Sequence, residues 1–377
     1  MKIAILANRL DATDGWSRYA FDLANNLKIA GHQVLCLVNK KSAVDLEQLV
    51  VFDNPLAYLV NLWRIFSTGR KVNSLLTKFQ PDIIHVVTEP YANCLLGAPF
   101  SRAKIVITVH GTYAYSPALL KSFWKHSLAS FMAKLVYKKV DLVIAVSSFT
   151  KNYLLSKIHS SKLESKIRVV NNGVDLSSFP LGDLIPKENK IKKIIFVGGL
   201  KSGKGILEAL AGLSYYKNDF SDQFQFNIIG QAEPGTPYYN ILEKFIAEHD
   251  LARQVVFHGR VSHEALLAAY QEADLFLMSS LNIDNKWLEG FGLVYLEANS
   301  QGVPCIGSRE SGAVDAILDG ETGYLVEARN PIDIAEKINL VLNKRTIKAE
   351  DCIAWAKKNS IKHKIAEIIV LYEQNNK

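Results

Sequence analysis

Glu289-Gly290-Phe291-Gly292-Leu293-Val294-Tyr295-Leu296-Glu297 sets two carboxylates on either side of a Gly-Phe-Gly turn that runs into a helical pattern of Leu293, Leu296 and Ala298. The glycines let the backbone bend tightly and approach a ligand closely. At the start of the helix the N–H groups of Phe291, Gly292 and Leu293 have no intrahelical acceptors, so they suit an anion such as a diphosphate. Carboxylates beside an anion repel it unless they bind something else. Sugar and ribose hydroxyls are donors that a carboxylate accepts from. The same nine residues also read as an ordinary helix start.

Working outward, strand patterns alternate with helical ones. Residues 2–7 form an apolar strand pattern, followed by Asp14-Gly15 and a helical run through Tyr19, Leu23 and Leu27, then a second strand at Val34 to Val38. Further strand patterns lie at 82–87, 105–109, 141–146 and 167–170, and again at 193–197, 224–229, 255–259 and 273–280. Such alternation predicts parallel sheets covered by helices, with ligands outside the C-terminal strand ends. His110-Gly111-Thr112 occupies such a strand end, as does Gly198-Gly199-Leu200-Lys201-Ser202-Gly203-Lys204-Gly205. The latter nearly matches a nucleotide-binding P-loop, but Gly205 stands where Mg²⁺ needs a Ser or Thr hydroxyl. His85 reads as a packing residue, and Gly15 also fits a simple turn.

The 289–297 stretch resembles the Glu-x7-Glu motif of the retaining nucleotide-sugar glycosyltransferases of family four. Gly302-Val303-Pro304-Cys305-Ile306-Gly307, Ser311-Gly312, Asp319-Gly320-Glu321-Thr322-Gly323 and Asn172-Gly173-Val174-Asp175 resemble the same family in the same order. The resemblance covers nearly the whole chain. It implies the GT-B architecture: an α/β protein of two facing Rossmann-like domains, about 1–182 (acceptor) and 187–355 (donor). A C-terminal helix, about 356–377, would return to the first domain.

The resemblance also implies site roles. Glu289 and His110 would hold the transferred sugar, Glu297 the ribose, Lys204 and the N–H groups at Phe291, Gly292 and Leu293 the diphosphate. The Gly259-Arg260 turn would lie against the base, and Gly15 would approach donor phosphate and acceptor. The family's Gly-Arg-Leu-x3-Lys-Gly departs here at Gly199, which replaces the arginine; Lys201 is the nearby cation. The implied reaction moves a hexosyl unit from a UDP- or GDP-sugar to a saccharide or lipid-linked acceptor with retention, by front-face attack and without metal or other cofactor. Two other readings stay open: a relative that binds nucleotide-sugar without turnover, and a P-loop NTPase.

A length of 377 residues exceeds one ordinary core. With 49% hydrophobic and 21% charged residues the composition is that of a globular protein. No apolar run reaches the roughly 18 residues that span a bilayer. No signal-peptide pattern opens the chain, and Cys36, Cys94, Cys305 and Cys352 lack metal-ligand spacing, so reduced thiols and a cytoplasmic location are expected. Of the net +7, the stretch 54–140 carries +9, with eleven basic residues against only Asp82 and Glu89. No nucleic-acid module accompanies this charge. The bases are interleaved with Trp63, Phe66, Phe123, Trp124 and Phe131. If exposed, these rings predict an anionic membrane surface as partner; if buried, an ordinary core.

Overall fold

The computed structural model describes residues 1–11, 15–97, 103–111, 120, 122–184, 190–283 and 287–374. Asp14, Arg102, Thr112, Lys121 and part of the expected linker lie outside these residues. Two compact units result, Met1–Asn172 with Ile361–Lys377, and Gly173–Ser360.

The first unit is built on seven parallel strands: β1 Lys2–Ala7, β2 Gln33–Val38, β3 Glu47–Val50, β4 Ile83–Val86, β5 Lys104–Val109, β6 Leu142–Ala145 and β7 Ile167–Val169. Their order is β3-β2-β1-β4-β5-β6-β7, so the direction of winding reverses between β1 and β4. The inner strands are buried on both faces, which is why they read as continuous apolar runs rather than alternating ones. One face is covered by helices Leu62–Phe79 and Phe123–Lys139 through Ile65, Val72, Leu76, Met132 and Val136. The other is covered by Gly15–Ile29 and the C-terminal helix Ile361–Glu373, through Leu23, Leu27, Ile365 and Ile368.

The second unit has six parallel strands: β8 Lys192–Val197, β9 Phe224–Ile229, β10 Val255–Gly259, β11 Leu275–Met278, β12 Cys305–Ser308 and β13 Gly323–Val326. Their order is β10-β9-β8-β11-β12-β13, with the reversal between β8 and β11. At such a reversal the loops leaving two adjacent strands diverge and open a crevice at their C-terminal ends.

Two boundaries differ from the sequence expectation. Residues 173–182 belong to the second unit: Val174 bridges to Ser360, Gly182 N–H donates to the Ser300 carbonyl at 2.8 Å, and His263 Nε2 donates to the Ser178 carbonyl at 2.8 Å. The terminal helical pattern is two helices, Ala349–Lys358 and Ile361–Glu373, and only the second joins the first unit. Asn359 caps the break, its side-chain amide turning back to the Trp355 carbonyl at 3.0 Å. All four cysteines are free and buried, and no described helix is long and apolar enough to cross a membrane.

Candidate active site

The candidate residues fall into two groups, one in each unit. In the second, the turn leaving β8 and the loop leaving β11 meet at the strand reversal. Ser279 Oγ donates to the Gly205 carbonyl at 2.9 Å, and Leu281 N–H donates to the Gly203 carbonyl at 2.9 Å. Lys204 forms an ion pair with Glu289, both side chains being largely buried. Gly205 sits at φ +72°, and a Cβ there would come within 1.9 Å of the Ser279 carbonyl oxygen. No hydroxyl-bearing side chain fits that position, which removes the P-loop magnesium ligand on steric grounds as well as by residue type.

The acidic motif is held by packing on both sides of its glycines. Gly312 N–H donates to the Glu289 carbonyl at 2.8 Å, and a Cβ on Gly312 would stand 2.2 Å from the Gly290 oxygen. That close approach gives the downstream Ser311-Gly312 pair its physical meaning. The helix runs Leu293–Ser300 with Gly292 as its N-cap at φ +88°. Phe291 and Gly292 therefore precede the helix, and of the three N–H groups expected to open it only that of Leu293 does so. Tyr295 N–H turns back to the Gly292 carbonyl at 3.1 Å, leaving those of Leu293 and Val294 as the first-turn donors. Tyr295 anchors the helix below, its hydroxyl donating to the Met278 carbonyl at 2.6 Å.

Glu297 lies one turn into this helix and accepts from the Tyr270 hydroxyl at 3.0 Å. Burial, and then the carboxylate beside it, push the Tyr270 phenol well above its usual range, so it remains a donor. Arg260 is exposed and its Nη2 donates to Gln231 Oε1 at 2.6 Å; Gly199 is open, with no atom within 4 Å of where a Cβ would stand. Gly198, Gly230 and Gly259 pack the three strand-end turns together: Gly230 N–H reaches the Gly259 carbonyl at 2.8 Å. A Cβ on Gly230 would lie 2.0 Å from the Gly198 oxygen.

Sequence reasoning did not single out Trp287. Its ring lies against Gly203, where a Cβ would be 2.0 Å away, with Lys201 Nζ 5.2 Å and Lys204 Nζ 5.5 Å from its centroid. The contact joins residues 84 positions apart and has no local signature.

In the first unit, Gly15 opens its helix with free space around it, and His110 follows β5. The His110 ring is edge-on to Tyr19 at 4.7 Å and near Trp16 at 6.4 Å. Its Nε2 is buried without a hydrogen-bond partner among the described residues. Burial pushes its pKa down to about 3, so at neutral pH it is a neutral imidazole. Behind it runs a buried polar chain: the Tyr19 hydroxyl meets Thr108 Oγ1 at 3.2 Å, Thr108 meets His85 Nε2 at 2.7 Å, and His85 Nδ1 meets the Tyr372 hydroxyl. His85 is likewise held neutral, at about 3, by burial and then by His110. Tyr372, from the C-terminal helix, could not be foreseen as its partner from sequence. A surface concavity of about 450 Å³ lined by Phe21, Asn25, Lys28 and Val44 involves none of these residues.

Two parallel α/β units, one with a lysine–glutamate pair and a glycine-capped helix start at its strand reversal, fit the GT-B architecture. Residues 13–178 match the model for Glycosyltransferase Family 4, and 184–359 that for Glycosyl transferases group 1. The chain belongs to this family. It is 27% identical over 340 residues to a phosphatidyl-myo-inositol mannosyltransferase of Mycolicibacterium smegmatis, covering 86% of this chain and 79% of the relative. A glycosyltransferase from Rickettsia africae superposes with TM-score 0.78 at 21% identity, covering 99% of this chain and 97% of that one. HepE from Anabaena, solved with UDP and glucose, superposes with TM-score 0.74 at 19% identity, covering 98% and 99%.

Proposed function

We propose that this chain transfers a hexosyl unit from a UDP- or GDP-sugar to a saccharide or lipid-linked acceptor, with retention at the anomeric carbon, in cell-envelope or surface polysaccharide or glycolipid synthesis. The observation that carries the reading is the grouping of Lys204, Glu289 and the first turn of the Leu293–Ser300 helix where β8 and β11 diverge. Breaking the glycosyl–phosphate bond leaves its electron pair on the diphosphate, and a cation and two N–H donors oppose that charge. The departing phosphate oxygen takes the acceptor's proton as the acceptor oxygen bonds to the same face of the anomeric carbon. Glu289 accepts from sugar hydroxyls once a diphosphate draws Lys204 away, and Glu297 accepts from the ribose. His110, neutral at working pH, hydrogen-bonds the sugar rather than supplying charge. The reading requires no metal.

Similarity to a phosphatidyl-myo-inositol mannosyltransferase from Mycolicibacterium and to HepE from Anabaena, which is in complex with UDP and glucose, supports a lipid acceptor class and a UDP donor respectively. The acceptor would be met at the cytoplasmic face of an anionic membrane, through residues 54–140. Gly199 favours one other reading, a relative that binds the donor without turnover.

Calorimetry with UDP, GDP and ATP, with and without EDTA, tests the donor site. Binding of UDP or GDP that survives EDTA is expected; strictly Mg²⁺-dependent ATP binding would sink the proposal. Donor hydrolysis or transfer measured on the same preparation separates enzyme from silent binder.

A further inference from the structure

Lys204 does not present a free charge, because Glu289 already neutralises it. A nucleoside diphosphate brings two or more negative charges to the turn, and the family's second cation is absent at Gly199. Lys201 is exposed and has no ion-pair partner among the described residues, yet its ammonium group is not loose: it lies over the Trp287 ring. The same ring carries Lys204. An aromatic face attracts each cation and so brings the two ammonium groups to one place despite their like charge. The indole N–H of Trp287 is buried against Gly203, so the ring acts on the lysines through its face rather than as a donor.

We propose that Lys201 is the second diphosphate-binding cation of this chain, taking over from the missing arginine, and that Trp287 is the positioning residue that holds it there. The inference rests on the donor site described above.

The test is calorimetric titration of wild type, Lys201→Ala, Trp287→Ala and Trp287→Phe with UDP, GDP and the corresponding nucleosides. Lys201→Ala, a surface change that leaves the fold intact, is expected to weaken the preferred diphosphate by about ten- to a hundredfold while leaving its nucleoside unaffected. Trp287→Ala should lose as much, with the double variant no worse than either, because one interaction is being removed twice. Trp287→Phe keeps the aromatic platform and should lose less than Trp287→Ala. Gly199→Arg, for which there is open space, should restore binding to Lys201→Ala. Unchanged diphosphate affinity in Lys201→Ala, or losses at 201 and 287 that simply add, overturns the inference while leaving the donor site standing. A wild type that binds no nucleoside diphosphate overturns both.

Discussion

Glu297 and Lys204 separate the two tasks of the donor site at the level of single side chains. Glu297 accepts from the Tyr270 hydroxyl at 3.0 Å, which helps to fix its rotamer where the ribose would be met. Glu297→Ala is expected to weaken nucleotide binding by about 1.5–3 kcal/mol, the worth of a hydrogen bond to a charged group, as read by calorimetry. Glu289→Ala should instead lower turnover more than affinity, since it frees Lys204 for phosphate while removing a contact to the sugar. Equal losses of affinity in both variants would count against this division. The two buried histidines carry a different prediction, one of stability. Burial lowers His85 and His110 from 6.5 to about 3, so between those values the unfolded chain binds up to two more protons than the folded one. Their contribution is complete above pH 6.5 and is lost as the pH falls towards 3, by about 1.4 kcal/mol per pH unit for each histidine. Urea midpoints should therefore drop between pH 6.5 and 5, before carboxylates titrate, and His85→Gln should shallow that slope. A midpoint flat across this window would show that neither histidine is buried neutral.

Turns and helices show what local sequence can and cannot reveal. Gly205 is readable, since a left-handed residue between a strand and a helix selects glycine. Gly205→Ser supplies the hydroxyl of a P-loop but adds a Cβ against the Ser279 carbonyl, so it should lower the melting temperature, with an unfolding penalty of about 1–3 kcal/mol, and confer no Mg²⁺-dependent ATP binding. The alternation of strands and helices, the glycine turns and the Glu289–Glu297 spacing were legible because each is encoded in a short window, whereas the strand order around the two reversals is set by contacts between distant elements and was not. Trp287 over Gly203 and the Tyr372–His85–Thr108–Tyr19 chain were not, because their members come from separate elements. The edge strand Glu47–Val50 escaped because half its residues face solvent and give no apolar run. The break at Asn359 escaped because apolar spacing continues through it while the two flanking helices pack in different units. The helix start was misread by two residues, since Gly292 caps from a left-handed conformation that spacing alone does not reveal.

Across the molecule the positive charge is concentrated in the first unit, and the aromatics interleaved with it are exposed rather than part of the core. Trp63, Phe66, Phe123, Trp124 and Phe131 are exposed, Trp63 at 77% and Trp124 at 80%, while the opposite sides of the same helices supply the core. On the helix Leu62–Phe79, positions 63, 66 and 70 share a face; on Phe123–Lys139, Trp124, Phe131 and Leu135 do. Both helices pack on the segment Glu89–Leu95. Lys104 and Lys139 are spent on backbone carbonyls, at Leu371 and Gln374 and at Leu95 and Leu96, and the exposed Lys71 donates to the Val50 carbonyl at 3.3 Å, whereas Arg70, Lys78, Lys125, Lys134 and Lys138 stand at the surface. Exposed rings beside exposed bases suit the interface of an anionic bilayer, where each basic residue gains about 1 kcal/mol and indole rings settle at headgroup depth. The protein is accordingly expected to sediment with vesicles containing phosphatidylglycerol but not with purely zwitterionic ones, and to be released as salt shortens the reach of its charges. Replacing Arg70, Lys71, Lys125 and Lys134 by Glu should abolish sedimentation, and Trp63→Ser with Trp124→Ser should weaken it at unchanged net charge, with nucleotide affinity intact in both. If wild type ignores anionic vesicles at low ionic strength, a soluble acceptor becomes the better reading. If it self-associates instead, with a sedimentation coefficient that rises with concentration and falls in the Trp variants, the exposed rings belong to a contact between copies of this chain.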